Sequence, residues 1–286
     1  MRTALNTLSL ENWSVEDVIT AAVNHGFSGV ELRGDSVDFS YTDYPRSKRR
    51  EVLLKLNAAG LAVTNIGSSI CLMGEPDERQ NISASLEKLV QMAADYKTKG
   101  IRLFLGNFAD RIDQPTRAVH YEELLQSLDY ACGIAAKEGL EIWVETHNEF
   151  ASGRILKLVL SQLGRGNCRV LWDIIHTLEC NERVDETLDY IGPVCAHVHL
   201  SDGVPFQDPL YKRWKYTMIG EGRISYPEVI HALQRNGYDG FVSLEWERRW
   251  KPELMGAGCE PEVAIRRFSQ AVNLALADSK KRSEEL

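Results

Sequence analysis

Eight times along this chain a short run rich in Val, Ile, Leu and Trp gives way to a longer segment with helical spacing. The runs are Ala4–Leu10, Gly29–Arg33, Ala62–Ser68, Ile101–Gly106, Glu141–His147, Arg169–Ile175, Ala196–Leu200 and Phe241–Trp246. Apolar runs this short are expected to be strands buried on both faces, as in a parallel sheet. The segments between them carry helix punctuation. Ser14-Val-Glu-Asp17 and Ser225-Tyr-Pro-Glu228 predict helix starts, with a hydroxyl cap and an acid three residues on. Gly26, Gly60, Gly100, Gly139 and Gly237 each stand just before an apolar run and predict helix stops, where glycine supplies the left-handed backbone. Strand–helix alternation implies right-handed βαβ units. Eight of them, with no glycine-rich phosphate loop after the first strand, predict a closed (β/α)₈ TIM barrel rather than an open sheet. The barrel is expected as one domain over residues 1–286, with a polar, frayed end at 278–286. The longest connection, Ser201–Ser225, predicts a functional lid.

The chain has 286 residues, close to the roughly 250 typical of such barrels. Its net charge of −8 argues against a nucleic-acid partner, which would want a basic stripe. The cluster Arg46, Lys48, Arg49 and Arg50 is expected to be a solvated helix face. Six scattered cysteines without a C-x-x-C pair suggest reduced thiols and a cytoplasmic protein. Met1–Leu10 is interrupted by Arg2, Asn6, Thr7 and Ser9, a poor signal-peptide core. No apolar run approaches the roughly 20 residues that span a bilayer.

Catalytic groups of a (β/α)₈ barrel sit at the C-terminal strand ends. The fifth run ends Trp143-Val-Glu145-Thr-His147, the sixth Trp172-Asp173-Ile-Ile-His176, the seventh His197-Val-His199-Leu-Ser201-Asp202, the eighth Leu244-Glu245-Trp-Glu247. Carboxylates buried among tryptophans cost several kcal/mol unless paired or bound to metal. One divalent cation on Glu145, Asp173, His199 and Glu245 would resolve that cost. Three carboxylates and one imidazole form a hard site suited to Mn²⁺ first, then Mg²⁺ or Co²⁺.

Glu145, Asp173-x-x-His176, His199 and Glu245, with the glycine-rich stretch Ile219–Ile224, resemble the xylose isomerase-like superfamily, the sugar phosphate isomerases and epimerases. The resemblance runs from Leu8 to about Leu276. It implies that Glu145, Asp173, His199 and Glu245 hold the metal and that His176 contacts substrate. Glu145-x-His147, with Arg102 on the fourth run, is also similar to the 3-dehydroshikimate dehydratase branch. In that branch the arginine holds a substrate carboxylate and the histidine is catalytic. The lysine that the branch carries two residues after the metal histidine is Ser201 here. The endonuclease IV branch needs further histidines on the third and fourth strands, which read Thr64-Asn-Ile-Gly-Ser68 and Leu103-Phe-Leu-Gly-Asn107 here, and an Asp-x-His where this chain has Trp214 and Tyr216.

The expected activity is metal-dependent isomerisation or epimerisation of a sugar or keto-sugar through a metal-stabilised enediolate. Glu145 and Glu245 would move the proton, and His147 would serve as base or proton donor. The partner is a small polyhydroxylated carbonyl substrate, with neither nucleic acid nor membrane; a homo-oligomer is left open. The alternatives are a dehydratase (lyase) of the 3-dehydroshikimate type and a non-catalytic sugar-binding barrel. Arg102 is either a substrate-binding residue or a plain residue at the surface or the barrel bottom. Arg33 either contacts substrate or pairs with a neighbouring strand end. His197 is expected in the core or supporting a ligand. Trp13 and Phe108 are expected to pack, with a place in the pocket wall as the alternative.

Overall fold

The computed structural model describes residues 1–10, 12–34, 42–73, 76–106, 121–206 and 214–284. Phe108 lies outside the described residues. Eight parallel strands close into a barrel: β1 (Arg2–Asn6), β2 (Gly29–Arg33), β3 (Ala62–Cys71), β4 (Gly100–Phe104), β5 (Glu141–Glu145), β6 (Cys168–Asp173), β7 (Cys195–Leu200) and β10 (Phe241–Leu244). Between the last two lies a short antiparallel hairpin, β8 (Gly203–Pro205) and β9 (Trp214–Tyr216), with Gly203 opposite Tyr216. β1 closes the ring by pairing with β10, Arg2 opposite Phe241, and with β2, Ala4 opposite Gly29. This is the expected (β/α)₈ fold.

Strand periodicity explains the core. Val30, Leu32, Ile101, Leu103, Ile142, Val144, Val170, Trp172, Val198, Leu200, Val242 and Leu244 are all buried and alternate with the inward-facing residues. The inward set includes Glu31, Arg102, Glu145, Asp173, His197, His199 and Ser243, equally buried but polar. The barrel therefore has an apolar outer shell under its helices and an ionisable interior.

The helices are α1 (Val15–Asn24), α2 (Arg46–Ala58), α3 (Pro76–Asp95), α4 (Tyr121–Lys137), α5 (Gly153–Leu163), α6 (Ile174–Glu179), α7 (Val184–Ile191), α8 (Tyr226–Arg235) and α9 (Pro261–Glu284). Ser14 and Asp17 form the expected capping box. Ser225 precedes α8, but its side chain makes no capping bond. Gly26, Gly60, Gly139 and Gly237 take positive φ as expected. Gly100 does not: Lys97 takes the left-handed position at φ 54°, and Gly100 opens β4. A Cβ on Gly100 would lie 2.1 Å from Trp143 Cε2, so that glycine makes room for an indole.

The basic cluster is not wholly solvated. Arg49 is buried, and its Nη2 lies 2.6 Å from the equally buried carboxylate of Asp95. Its Nη1 donates to Thr42 O at 2.9 Å, which ties the β2–α2 connection to α3. Trp13 is partly buried and packs against the core. Among the described residues no helix is long and apolar enough to cross a membrane.

Candidate active site

Strand lengths decide where the site residues fall. β5 stops at Glu145 and β6 at Asp173, both shorter than the apolar runs suggest. Asp173 ends its strand because it caps α6: its Oδ1 accepts from Ile175 N at 2.9 Å. Thr146 Oγ1 fastens this end, accepting from Asp173 N at 2.8 Å. β1 stops at Asn6 for a similar reason, the Asn6 side chain accepting from Leu8 N at 2.9 Å.

Glu145, His199 and Glu245 come together inside the barrel mouth, with donor atoms all within 4.8 Å of one another. His199 Nδ1 lies 2.8 Å from Glu245 Oε2. A second group, Glu145, His147 and His176, meets the same 4.8 Å limit. Asp173 stands beside these groups: its Oδ2 lies 3.3 Å from His176 Nε2. The His147 ring packs against Phe104 and edge-on against His176, with centroids 4.6 and 4.5 Å apart.

Arg102 is inside the barrel, not at a surface. Its Nε lies 3.1 Å from Glu145 Oε2 and its guanidinium covers the Phe104 ring at 4.1 Å. Among the described residues its buried Nη1 has no hydrogen-bond partner. Arg33 is half-buried at the end of β2, and its Nη2 donates to Ser69 Oγ at 3.1 Å on the neighbouring strand.

Burial and charge set protonation here. Burial pushes Glu145 up to about 7 in spite of Arg102, and Asp173 up to about 8 in spite of His176. Burial acts on Glu245 in the same direction, but the charge and hydrogen bond of His199 outweigh it and hold Glu245 at about 2. His176 is raised to about 9: burial opposes its charge, and Asp173 and Glu179 prevail. Glu145 and Glu245, which share a donor cluster with His199, thus differ in proton affinity.

Three participants were not singled out from sequence. Glu31, in the middle of β2, places Oε2 2.8 Å from His199 Nε2 and 3.3 Å from His197 Nε2. Its only local signal is a carboxylate inside an otherwise apolar strand run. Glu179 lies 3.2 Å from His176 Nδ1 and accepts from Trp214 N at 3.0 Å, which joins the hairpin to the site. Tyr216, at the end of β9, buries a hydroxyl with no hydrogen-bond partner among the described residues, and Lys251 Nζ lies 4.2 Å from its ring centroid. His197 is 1% exposed, stacked on Trp143, and paired with Glu31.

Asp202 has a structural task. Its carboxylate accepts from Gly203 N at 2.8 Å, Gly220 N at 2.8 Å, Gly222 N at 3.1 Å and Ile224 N at 3.3 Å. It clips the glycine-rich loop to the end of β7. A Cβ on Gly222 would lie 2.0 Å from Asp202 Oδ1, so the clip requires glycine there.

Known proteins are similar to this chain over most of its length. The chain is 24% identical over 263 residues to the 3-dehydroshikimate dehydratase of Bacillus anthracis, covering 86% of this chain and 91% of that one. Its fold is similar to the D-psicose 3-epimerase of Clostridium cellulolyticum H10, with a TM-score of 0.76, 17% identity and coverage of 98% and 99%. It is also similar to the 3-keto-D-glucoside 4-epimerase of E. coli, with a TM-score of 0.74, 16% identity and coverage of 95% and 98%. The family model described as xylose isomerase-like TIM barrel matches residues 19–277, and the chain belongs to that family.

Proposed function

We propose that this chain is a divalent-metal-dependent isomerase or epimerase of a small polyhydroxylated carbonyl compound, a sugar or keto-sugar. The observation that carries this reading is the convergence of Glu145, His199 and Glu245 within 4.8 Å in a buried barrel mouth. The residues suit a cation: Glu145 Oε2 is buried and faces Arg102 Nε at 3.1 Å, but receives no hydrogen bond among the described residues. Glu145, His199 and Glu245, with Asp173 alongside, form a hard, mostly oxygen donor set that fits Mn²⁺, Mg²⁺ or Co²⁺. A bound cation of this kind polarises substrate oxygens and acidifies the neighbouring C–H.

The chain's own groups then divide the proton work. Glu245, held ionised by His199, accepts the proton from carbon. Glu145, across the mouth, delivers a proton to the opposite face. They reach the substrate from β10 and β5, on either side of β7 and β6 in the barrel order. Opposed donors allow removal at one face and return at the other. His176, fixed by Asp173 and Glu179, orients a substrate oxygen, and Arg33 contributes at the rim.

Dehydration is the second reading, favoured by Arg102. Its buried, unpartnered Nη1 would be satisfied by a substrate carboxylate, with His147 delivering a proton to a departing hydroxyl. A panel of ketoses, keto-sugars and 3-dehydroshikimate incubated with Mn²⁺ in D₂O separates the two by NMR. Deuterium uptake into a ketose or keto-sugar supports the isomerase or epimerase. Loss of water from 3-dehydroshikimate alone supports the dehydratase. Neither, with Mn²⁺ bound, would overturn both.

A further inference from the structure

We propose that Glu31 is the positioning residue of this site: it holds the Nε2 edge of His199, so that Nδ1 is the nitrogen turned to the Glu145–Glu245 carboxylates and to a cation between them. This inference rests on the metal-dependent reading above.

The geometry is a chain of contacts across the barrel interior. Glu31 Oε2 lies 2.8 Å from His199 Nε2, and His199 Nδ1 lies 2.8 Å from Glu245 Oε2. β2 and β7 are not neighbours: β1 and β10 stand between them in the barrel order. The contact therefore spans the lumen. Glu31 and His199 are both 0% exposed. A carboxylate in such a place is costly unless its oxygens receive donors. Among the described residues its ion-pair partners are two histidines, His197 and His199.

Chemistry then fixes the tautomer. An ionised carboxylate only accepts hydrogen bonds, and a neutral imidazole donates from one nitrogen and offers a lone pair on the other. Both nitrogens face a carboxylate at 2.8 Å. A cation between Glu145 and Glu245 takes the Nδ1 lone pair, and the hydrogen then stays on Nε2, where Glu31 accepts it. Carboxylates that support a ligating histidine in this way orient the ring and raise its basicity; losing one weakens metal affinity by about 10–100-fold.

The carboxylate is itself held. His197 Nε2 lies 3.3 Å from Glu31 Oε2, and the His197 ring is stacked on Trp143 at 5.7 Å and 20°. Ser243 Oγ donates to the same oxygen at 3.4 Å. Three side chains engage Oε2, the atom that holds His199; Oε1 is buried without a hydrogen-bond partner among the described residues and is the atom a second ion would take. Glu31, His197 and His199 also have donor atoms within 4.8 Å of one another, so the competing role is a second ion on those three. Stoichiometry separates the two roles.

The test uses the full chain with ¹⁵N-labelled histidine. Mn²⁺ binding is measured by calorimetry, and the His199 tautomer by NMR with diamagnetic Mg²⁺ or Zn²⁺. Wild type should bind one Mn²⁺ with His199 protonated at Nε2. Glu31→Gln, folded by circular dichroism, should raise the Kd for Mn²⁺ by about 10–100-fold, and Glu31→Asp should recover part of that loss. A role confined to stability would move the melting temperature without moving the tautomer or the Kd. Should Glu31→Gln not fold, Glu31→Asp alone decides, by weakened or by unchanged affinity. Unchanged affinity in the folded variants, an Nδ1-protonated His199, or two ions per chain would each overturn the proposal while leaving the metal-dependent reading intact. A wild-type protein that binds no Mn²⁺ would overturn both.

Discussion

Arg102 and Glu145 face each other inside the barrel from adjacent strands, 3.1 Å apart, with 1% and 2% of their side chains exposed. Removing the arginine leaves a carboxylate buried beside Glu245. Taking one partner from a buried pair costs about 3–5 kcal/mol, and the protonation of Glu145 sets when that cost is felt. Burial raises this acid from an ordinary 4.5 to about 7, so the ion-free fold loses stability as pH rises through that window. Without Arg102 the proton is held to still higher pH. Arg102→Met should therefore destabilise the ion-free protein more at pH 8 than at pH 6, measured by urea unfolding. Equal losses at both would contradict the pairing.

Mn²⁺ should stabilise the native chain. At a hundred times its Kd a ligand bound only by the folded state adds about 2.7 kcal/mol. For a protein of this size that is a rise of roughly 5–10 °C in melting temperature. Chelation by EDTA should reverse it, and His199→Ala should abolish it. A shift that survives His199→Ala places the ion elsewhere.

Glu245→Gln keeps the side-chain shape and removes the base. Turnover should fall by at least about 100-fold with the fold intact by circular dichroism, while the ion-free protein melts lower because His199 loses its charged partner at 2.8 Å. Deuterium exchange on the best substrate of the panel reads this directly. Activity within a few-fold of wild type would remove Glu245 from the chemistry.

Asp202→Ala should act through the loop it holds. Four backbone N–H groups lose a charged acceptor together. The expected loss is about 2–3 kcal/mol in urea unfolding, given the cost of leaving part-buried donors unpaired. KM should rise more than kcat falls, because the loop lies beside the mouth and supplies none of the proton-moving groups. An unaffected unfolding midpoint would mean that water replaces the clip.

Gly100→Ala tests the barrel floor. The added Cβ would meet the Trp143 indole, and overpacking of this kind costs about 1–3 kcal/mol. Trp143 also donates from Nε1 to Glu141 Oε2 at 2.8 Å, so its fluorescence should report the shift. A variant as stable as wild type, with an unaltered spectrum, would show that the ring can move aside.

The amino-acid order was sufficient for the barrel and for much of the candidate site. Strand and helix periods, the Ser14–Asp17 box and four of five glycine stops depend on residues a few positions apart. That is the range over which backbone preference and side-chain capping act. The same short range made Glu145, Asp173, His199 and Glu245 visible, because each sits at the end of an apolar run. It also misled: Gly100 looks like a helix stop but answers to Trp143, Ser225 looks like a cap but makes no capping bond, and Arg49 looks solvated but is buried on Asp95.

Tertiary structure decided which inward side chains meet. Glu31 and His199 are 168 residues apart in the chain, and nothing near either one names the other. Their contact follows from strand register, which turns Glu31 inward on β2, and from closure of β1 onto β10, which brings β2 and β7 within reach across one narrow lumen. Side-chain period is a local property of a strand, whereas the partner across a barrel is set only when the ring is complete.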